Sequence, residues 1–298
     1  MRSCNDRGKT QAWSECSQSV YFHRMTRYTI SFCALATLLA TSALLIAQSP
    51  APPQAGLAAT ASAAAPKPED TEVWEPVPAV VTPGVTCTAP PSDAIVLFDG
   101  RNQDEWVLTR DKSPAKWIVA DGVLTVDKAQ GSIETKRTFK NYQLHLEWRV
   151  PENIAGTGQG RGNSGVFLAS TGTGDAGYEL QVLDPYQNKT YVNGMGGSIY
   201  KQSIPLANPG RKPGEWQTYD VVWTAPLFNP DGSLKSPAYV TALFNGVLVQ
   251  NHFELKGETL YIGKPFYRKH GAAPIKLQAH GDKSAPIGFR NIWVRELP

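Results

Sequence analysis

The sequence predicts an all-β fold, a two-sheet antiparallel jelly-roll sandwich, on three observations. Short segments with period-two alternation recur along residues 93–298, turn residues separate them, and no stretch longer than a turn or two carries apolar residues at three-and-four spacing. About ten or more short strands without helices argue for a sandwich or barrel, and two sheets suit the size.

The alternating segments begin with residues 94–98 (AIVLF), 117–119 (WIV), 122–126 (GVLTV), 142–150 (YQLHLEWRV) and 165–169 (GVFLA). They continue with 178–183 (YELQVL), 218–223 (TYDVVW), 239–249, 274–279 (PIKLQA) and 289–297. Asp99-Gly100, Asp121-Gly122 and Pro230-Asp231-Gly232 punctuate them. Asn245-Gly246 divides 239–249 between two apolar runs, which is a strong signature of a two-residue hairpin.

Upstream the composition changes. Residues 30–47 (ISFCALATLLATSALLIA) carry no charge and follow Arg24 and Arg27, the pattern of an export signal. Met25 lies in that basic flank, so translation is expected to start there, with 1–24 an upstream extension. A retained membrane anchor is the competing reading, because the uncharged run is near the lower length limit for a span. Residues 48–92 are rich in Ala and Pro and too poor in large apolar side chains to offset their ordering entropy, so they read as a disordered tether. The three segments are therefore 1–47, 48–92 and a folded domain at 93–298, with a periplasmic or extracellular location expected.

All four cysteines (Cys4, Cys16, Cys33, Cys87) fall before the domain, which leaves it neither a disulfide nor a thiolate metal site. The chain is 41% hydrophobic and 18% charged, with a net charge of +3, which excludes a collagen-like or fully disordered chain and gives no electrostatic case for nucleic-acid binding.

Alternation also assigns faces. In 142–150 the apolar set is Tyr142, Leu144, Leu146, Trp148 and Val150, which leaves Gln143, His145, Glu147 and Arg149 opposite. In 178–183 Glu179 and Gln181 oppose the core set, and in 275–280 Lys276, Gln278 and His280 do. If these strands are neighbours, their polar faces form the floor of a cleft. The plain alternative is that each simply meets solvent, as one side of many antiparallel sheets does. The repeated pairing of an acid or amide with a partner (Glu147/Arg149, Glu179/Gln181, Gln278/His280) favours a site.

The order of the motifs resembles a known family. LFDGRNQDEW (97–106), WIVADGVL (117–124), YQLHLEWR (142–149), GNSGVFL (162–168), YELQVLD (178–184), GSIY (197–200), GEWQTYDVVW (214–223), FNG (244–246) and LQAHGDKSAPIGFRNIWVREL (277–297) occur in sequence. Together they are similar to the 3-keto-disaccharide hydrolase domain, formerly domain of unknown function 1080, across essentially all of 93–298. The resemblance implies a concanavalin A-like jelly roll with sugar on its concave face. It also implies action on 3-keto-glycosides, with a sugar 3-dehydrogenase as the functional partner that oxidises the substrate.

Residues 179–184 also keep the spacing of the Glu-x-Asp-x-x-Glu strand of family 16 glucanases, but the middle carboxylate is Gln181 and the last is Asp184, next to Pro185. Retaining hydrolysis needs two carboxyls about 5–5.5 Å apart, which this strand does not guarantee. A 3-keto substrate permits another route. The ketone acidifies the C2 proton, the C1 oxygen leaves by β-elimination, and water adds back. That route needs a base, an enolate-stabilising group and an acid. Glu179 or His280 is the expected base, Arg149 or a bound cation the enolate holder, and Glu147 the acid or orienter. Gln181, Gln278, Asn163, Asp184, Tyr200 and Lys276 are expected substrate contacts.

Gly160-Arg-Gly162-Asn-Ser-Gly165 fits a dinucleotide fingerprint but opens into a strand, so it reads as a Gly-rich loop bordering the cleft, with Arg161 and Asn163 as sugar contacts. His145, His252, His270 and His280 show no zinc spacing, and a divalent cation is allowed but not demanded. Core packing is the expected fate of Trp148 and Trp223, whereas Tyr186, Tyr191, Tyr200 and Tyr267 are the expected sugar-stacking aromatics. The rival to an exported glycoside-cleaving enzyme is a non-catalytic carbohydrate-binding module of the same shape.

Overall fold

The computed structural model describes residues 65–298; the expected signal or anchor at 30–47, and the start of the tether, lie outside the described residues. Apart from short 3-10 turns, every regular element described is a strand. In chain order the strands are β1 (Ile95–Phe98), β2 (Trp106–Leu108), β3 (Ile118–Ala120), β4 (Val123–Thr125) and β5 (Ile133–Thr135). Next come β6 (Asn141–Arg149), β7 (Ser164–Ser170), β8 (Gly177–Val182), β9 (Gln217–Thr224) and β10 (Leu227–Phe228). The last are β11 (Leu234–Ser236), β12 (Tyr239–Phe244), β13 (Val247–Glu254), β14 (Lys276–Leu277) and β15 (Gly288–Leu297).

Two large antiparallel sheets result, and β10 pairs with β11 in a separate two-stranded one. An eight-stranded sheet has the order β13-β12-β9-β6-β15-β4-β3, with β1 also on β15, and a five-stranded sheet has the order β2-β5-β14-β7-β8. This is the sandwich that the alternation predicts. The tight hairpins follow their residues: Asn245 and Gly246 take φ of 50° and 79°, and Asp121 and Gly122 take 51° and 75°. Both central residues are thus left-handed, as a type I′ turn between twisted strands requires.

The core lies between the sheets. Leu144, Leu146 and Trp148 of β6 meet Val166, Leu168, Leu180 and Val182 of β7 and β8 in one buried cluster. Trp148, Tyr219 and Phe244 pack with ring centroids 4.9–5.7 Å apart, each such side chain contributing about 1.5–3 kcal/mol by burial. Two core phenols also tie the sheets together. Tyr142 donates to the Leu168 carbonyl at 2.6 Å and Tyr219 to the Gln181 carbonyl at 2.7 Å. These bonds satisfy buried hydroxyls and hold the backbones of β7 and β8 in place.

The strand carrying Glu147 and Arg149 is in the eight-stranded sheet, whereas those carrying Glu179 and Lys276 are in the five-stranded one. The expected three-strand floor therefore does not form. Alternation sorts side chains between the faces of a strand but says nothing about which sheet the strand joins. On the outer face of the eight-stranded sheet, residues 81–91, read by composition as the end of the tether, line a hollow with Gln143, Trp293 and Arg295. Trp293 Nε1 and Asn291 Nδ2 both donate to the Thr88 carbonyl, at 3.0 and 2.9 Å.

Candidate functional site

Strand register builds the floor of a cavity on the outer face of the five-stranded sheet. Glu134, Lys276, Phe167 and Glu179 stand side by side across β5, β14, β7 and β8. The far edge of β8 continues the row. Leu180 bridges Ile199, and the Tyr200 N–H donates to the Glu179 carbonyl at 3.2 Å, so Tyr200 stands beside Glu179 on the same face. Two residues along, Gly165 separates Gln181 from Gln278. A Cβ at Gly165 would fall on the Glu179 carboxyl, so the glycine provides the space into which that acid leans.

This floor and the loops above it enclose about 510 Å³, and Glu179, Gln181, Gln278, Asn163, Tyr200 and His280 all line it. Six of the expected site residues are thus brought together.

Glu179 is only 4% exposed. Burial first, then the negative charge of Asp175, pushes its pKa from 4.5 up to about 8 against the pull of Lys276. It is a proton carrier at neutral pH. His280 lines the same cavity as a different kind of group. Its Nδ1 meets the Asp282 carboxylate at 3.0 Å and the Asp282 N–H at 3.2 Å, while Asn163 Nδ2 approaches Nε2 at 3.5 Å. The shorter, charge-assisted contact and the amide on Nε2 assign the proton to Nδ1 and a lone pair to Nε2. Burial opposes ionisation of Asp282, but bonds from Ser284, His280 and Lys128 outweigh it and hold its pKa below the usual range. A carboxylate that orients an imidazole in this way prepares a base.

The amides form a fixed frame. Gln181 Nε2 donates to Asn163 Oδ1 at 2.8 Å, Asn163 Nδ2 to the Gln159 carbonyl at 2.9 Å, and Gln278 Nε2 to Asp175 Oδ1 at 2.8 Å. The Oε1 atoms of Gln181 and Gln278 are buried with no partner in the protein.

Four expected site residues do not line the cavity. Glu147 sits on the outer face of the opposite sheet, bonded to Arg290 at 2.6 Å and Asn291 at 3.0 Å, and Arg149 on the same face lies over the Trp216 ring at 4.5 Å. Asp184 is buried in its turn, paired with Arg161 at 2.5 Å and accepting the Tyr186 N–H at 3.1 Å. Both partners of that pair are thereby withdrawn from sugar binding. Lys276 belongs to the floor row, but its ammonium bonds the Gly174 and Ala176 carbonyls at 2.8 and 2.7 Å above the Phe167 ring. Burial lowers its pKa to about 8, and it acts on the cavity as a charge beneath the floor.

Of the expected stacking aromatics, Tyr191 and Tyr200 line the cavity. Tyr267 instead bonds the Leu255 carbonyl and packs against the core. Trp148 and Trp223 are fully buried, as alternation predicts. Sequence reasoning missed Gln159, Asp175, Lys201, Thr259, Tyr261 and Asp282, all of them outside the strands in segments without periodicity. Only Asp282 had a signal, its spacing of two from His280 in an HGD turn. Among the described residues no group of three or more His, Cys, Asp or Glu side chains converges as a metal site.

Residues 93–295 match the model of the 3-keto-alpha-glucoside-1,2-lyase-like domain. A solved protein of Parabacteroides distasonis ATCC 8503, described as a "putative glycosyl hydrolase", is 54% identical with a TM-score of 0.72, the match covering 78% of this chain and 97% of that one. Another from the same organism, with the same description, is 22% identical with a TM-score of 0.51, over 69% and 94% of the two chains, and shares the fold. No protein of curated function matches.

Proposed function

Because the chain belongs to the 3-keto-alpha-glucoside-1,2-lyase-like family, we propose that it is a glycoside-acting enzyme that cleaves 3-keto-glycosides by elimination across C1 and C2, followed by hydration. One observation carries this reading. A buried carboxyl that holds its proton at neutral pH and an imidazole with its lone pair on Nε2 line the same cavity. Such a pair, an acid and a base kept distinct by their surroundings, suits elimination, while Asp175, the other carboxyl of the cavity, accepts a bond from Gln278 Nε2.

His280 Nε2 removes the C2 proton, and the electron pair enters the C3 carbonyl as an enolate. The enolate collapses, the C1–O bond breaks, and the departing oxygen takes the proton of Glu179. Glu179 is now a carboxylate and His280 an imidazolium. Water then adds at C1 in the reverse sense: Glu179 accepts a proton from the attacking water and His280 returns one to C2. The net change is hydrolysis, and both groups regain their starting states. The 3-keto substrate is supplied by a sugar 3-dehydrogenase as the functional partner. Export, and with it a periplasmic or extracellular site of action, rests on the uncharged run at residues 30–47.

The test is to incubate the purified protein in D2O with a 3-keto-disaccharide and, separately, with its unoxidised parent. Monosaccharide release from the oxidised sugar alone, with deuterium at C2 of the product, is expected. Equal release from both sugars overturns the elimination route, and binding without turnover identifies a carbohydrate-binding module instead.

A further inference from the structure

Elimination leaves one role unfilled. The group expected to hold the enolate, Arg149, lies on the far face of the molecule, so the cavity has to supply the donor itself. Its nitrogen donors already bond the protein, although Gln278 Nε2 and Lys201 Nζ each keep N–H groups beyond the one bond they make. Gln159, Asn163, Gln181 and Gln278 each donate to a protein acceptor, and Lys201 Nζ donates to the Tyr261 carbonyl at 2.5 Å.

The phenols are different. Tyr191 and Tyr200 hydroxyls lie 2.6 Å apart and bond to each other. Two hydroxyls carry two protons and their mutual bond uses one, so one O–H remains to point into the cavity. Tyr200 is 9% exposed and stands beside Glu179 in the floor row, which makes it the inner member. We propose that Tyr200, with Tyr191 hydrogen-bonded behind it, is the oxyanion donor that stabilises the C3 enolate. This assignment rests on the elimination reading above.

The pair is built into the fold. The Tyr191 ring lies flat on Gly194, where an added Cβ would overlap three ring atoms. Gln159 Nε2 fastens that turn from within the cavity through Thr190 Oγ1 at 2.9 Å and the Gly194 carbonyl at 2.8 Å. The chemistry also suits the neighbourhood. A cation beside Glu179 would draw off the proton that the leaving group needs, whereas a neutral phenol stabilises the enolate and leaves the acid protonated. Burial raises the Tyr200 pKa, which keeps the hydroxyl protonated.

The experiment isolates enolisation from cleavage. A 3-keto-1,5-anhydro sugar has no leaving group at C1, so exchange of its C2 hydrogen for deuterium in D2O, followed by NMR, reports only the base and the enolate donor. Wild type is expected to catalyse the exchange. Tyr200→Phe, which keeps the ring, is expected to slow it about 10²–10³-fold, the usual cost of losing an oxyanion donor. Tyr191→Phe and Gly194→Ala, which weaken or shift the supporting hydroxyl, are expected to slow it about tenfold by a looser version of the same effect. Glu179→Gln is expected to lower cleavage about 10²–10⁴-fold. Exchange by Tyr200→Phe within threefold of wild type overturns the Tyr200 assignment while leaving elimination intact. Absence of exchange in wild type, with cleavage retained, overturns the elimination reading and the assignment with it.

Discussion

The molecule has two polar faces built on the same alternation, and they differ in how completely their groups are paired. On the outer face of the eight-stranded sheet, His145 stacks on Trp293 and bonds Asp220 at 2.7 Å, while Glu147 takes hydrogen bonds from Arg290 and Asn291. Burial works against ionisation of Glu147, yet bonds from His145, Asn291 and Arg290 prevail and bring its pKa down to about 2. On the outer face of the five-stranded sheet, Glu179 has no such partners and burial takes it to about 8. Two glutamates of like sequence context thus end at opposite limits. A fully bonded acid stabilises the fold, and an acid left unbonded in a cavity is available to a ligand.

The sharpest way to test this contrast is to remove the charge from each glutamate in turn. Glu179→Gln is expected to lower turnover of a 3-keto-glycoside about 10²–10⁴-fold, in steady-state kinetics. It should also change the pH dependence of stability. The wild-type acid binds its proton more tightly folded than unfolded, so its stabilising contribution is complete below pH 4.5 and disappears as the pH rises to about 8. Denaturant midpoints at those two pH values should show wild type losing on the order of 4 kcal/mol relative to Glu179→Gln.

Asp282→Asn, which keeps the shape but not the charge that orients His280, is expected to cost on the order of 10²-fold in kcat with little change in KM. Across the molecule the signs reverse. Glu147→Gln should leave turnover unchanged and lower stability by about 2 kcal/mol at neutral pH. The contribution of Glu147 is present above pH 4.5 and is lost as pH falls through about 2, so wild type and variant should converge in acid. The smallest effect is expected from Arg149→Ala, about 0.5 kcal/mol for the contact over Trp216 and unaltered kinetics. A tenfold loss of activity in either far-face variant would end the division of labour between the faces.

The legibility of each face in the sequence follows the same physics. Alternation is local, so the outward direction of Glu179, Gln181, Lys276 and Gln278 could be read from their own strands. Whether β6 neighbours β8 depends on long-range pairing and crossovers, which no local pattern encodes, and that is where Glu147 and Arg149 were misplaced. Burial of a strand on both faces also hides the difference between a residue that meets ligand and one held by its neighbours. Lys276 is completely buried and points the right way, but two loop carbonyls hold its ammonium. Tyr191, Tyr261 and Asp282 lie in loops, where there is no period to read and only the folded chain brings them to the strands.

The clasp at Thr88 sets a direction for the whole domain. Because Trp293 and Asn291 seize that carbonyl on the outer face of the eight-stranded sheet, the polypeptide enters the domain from the side opposite the cavity. Residues 81–91 thus lie against the back of the domain and leave the cavity uncovered.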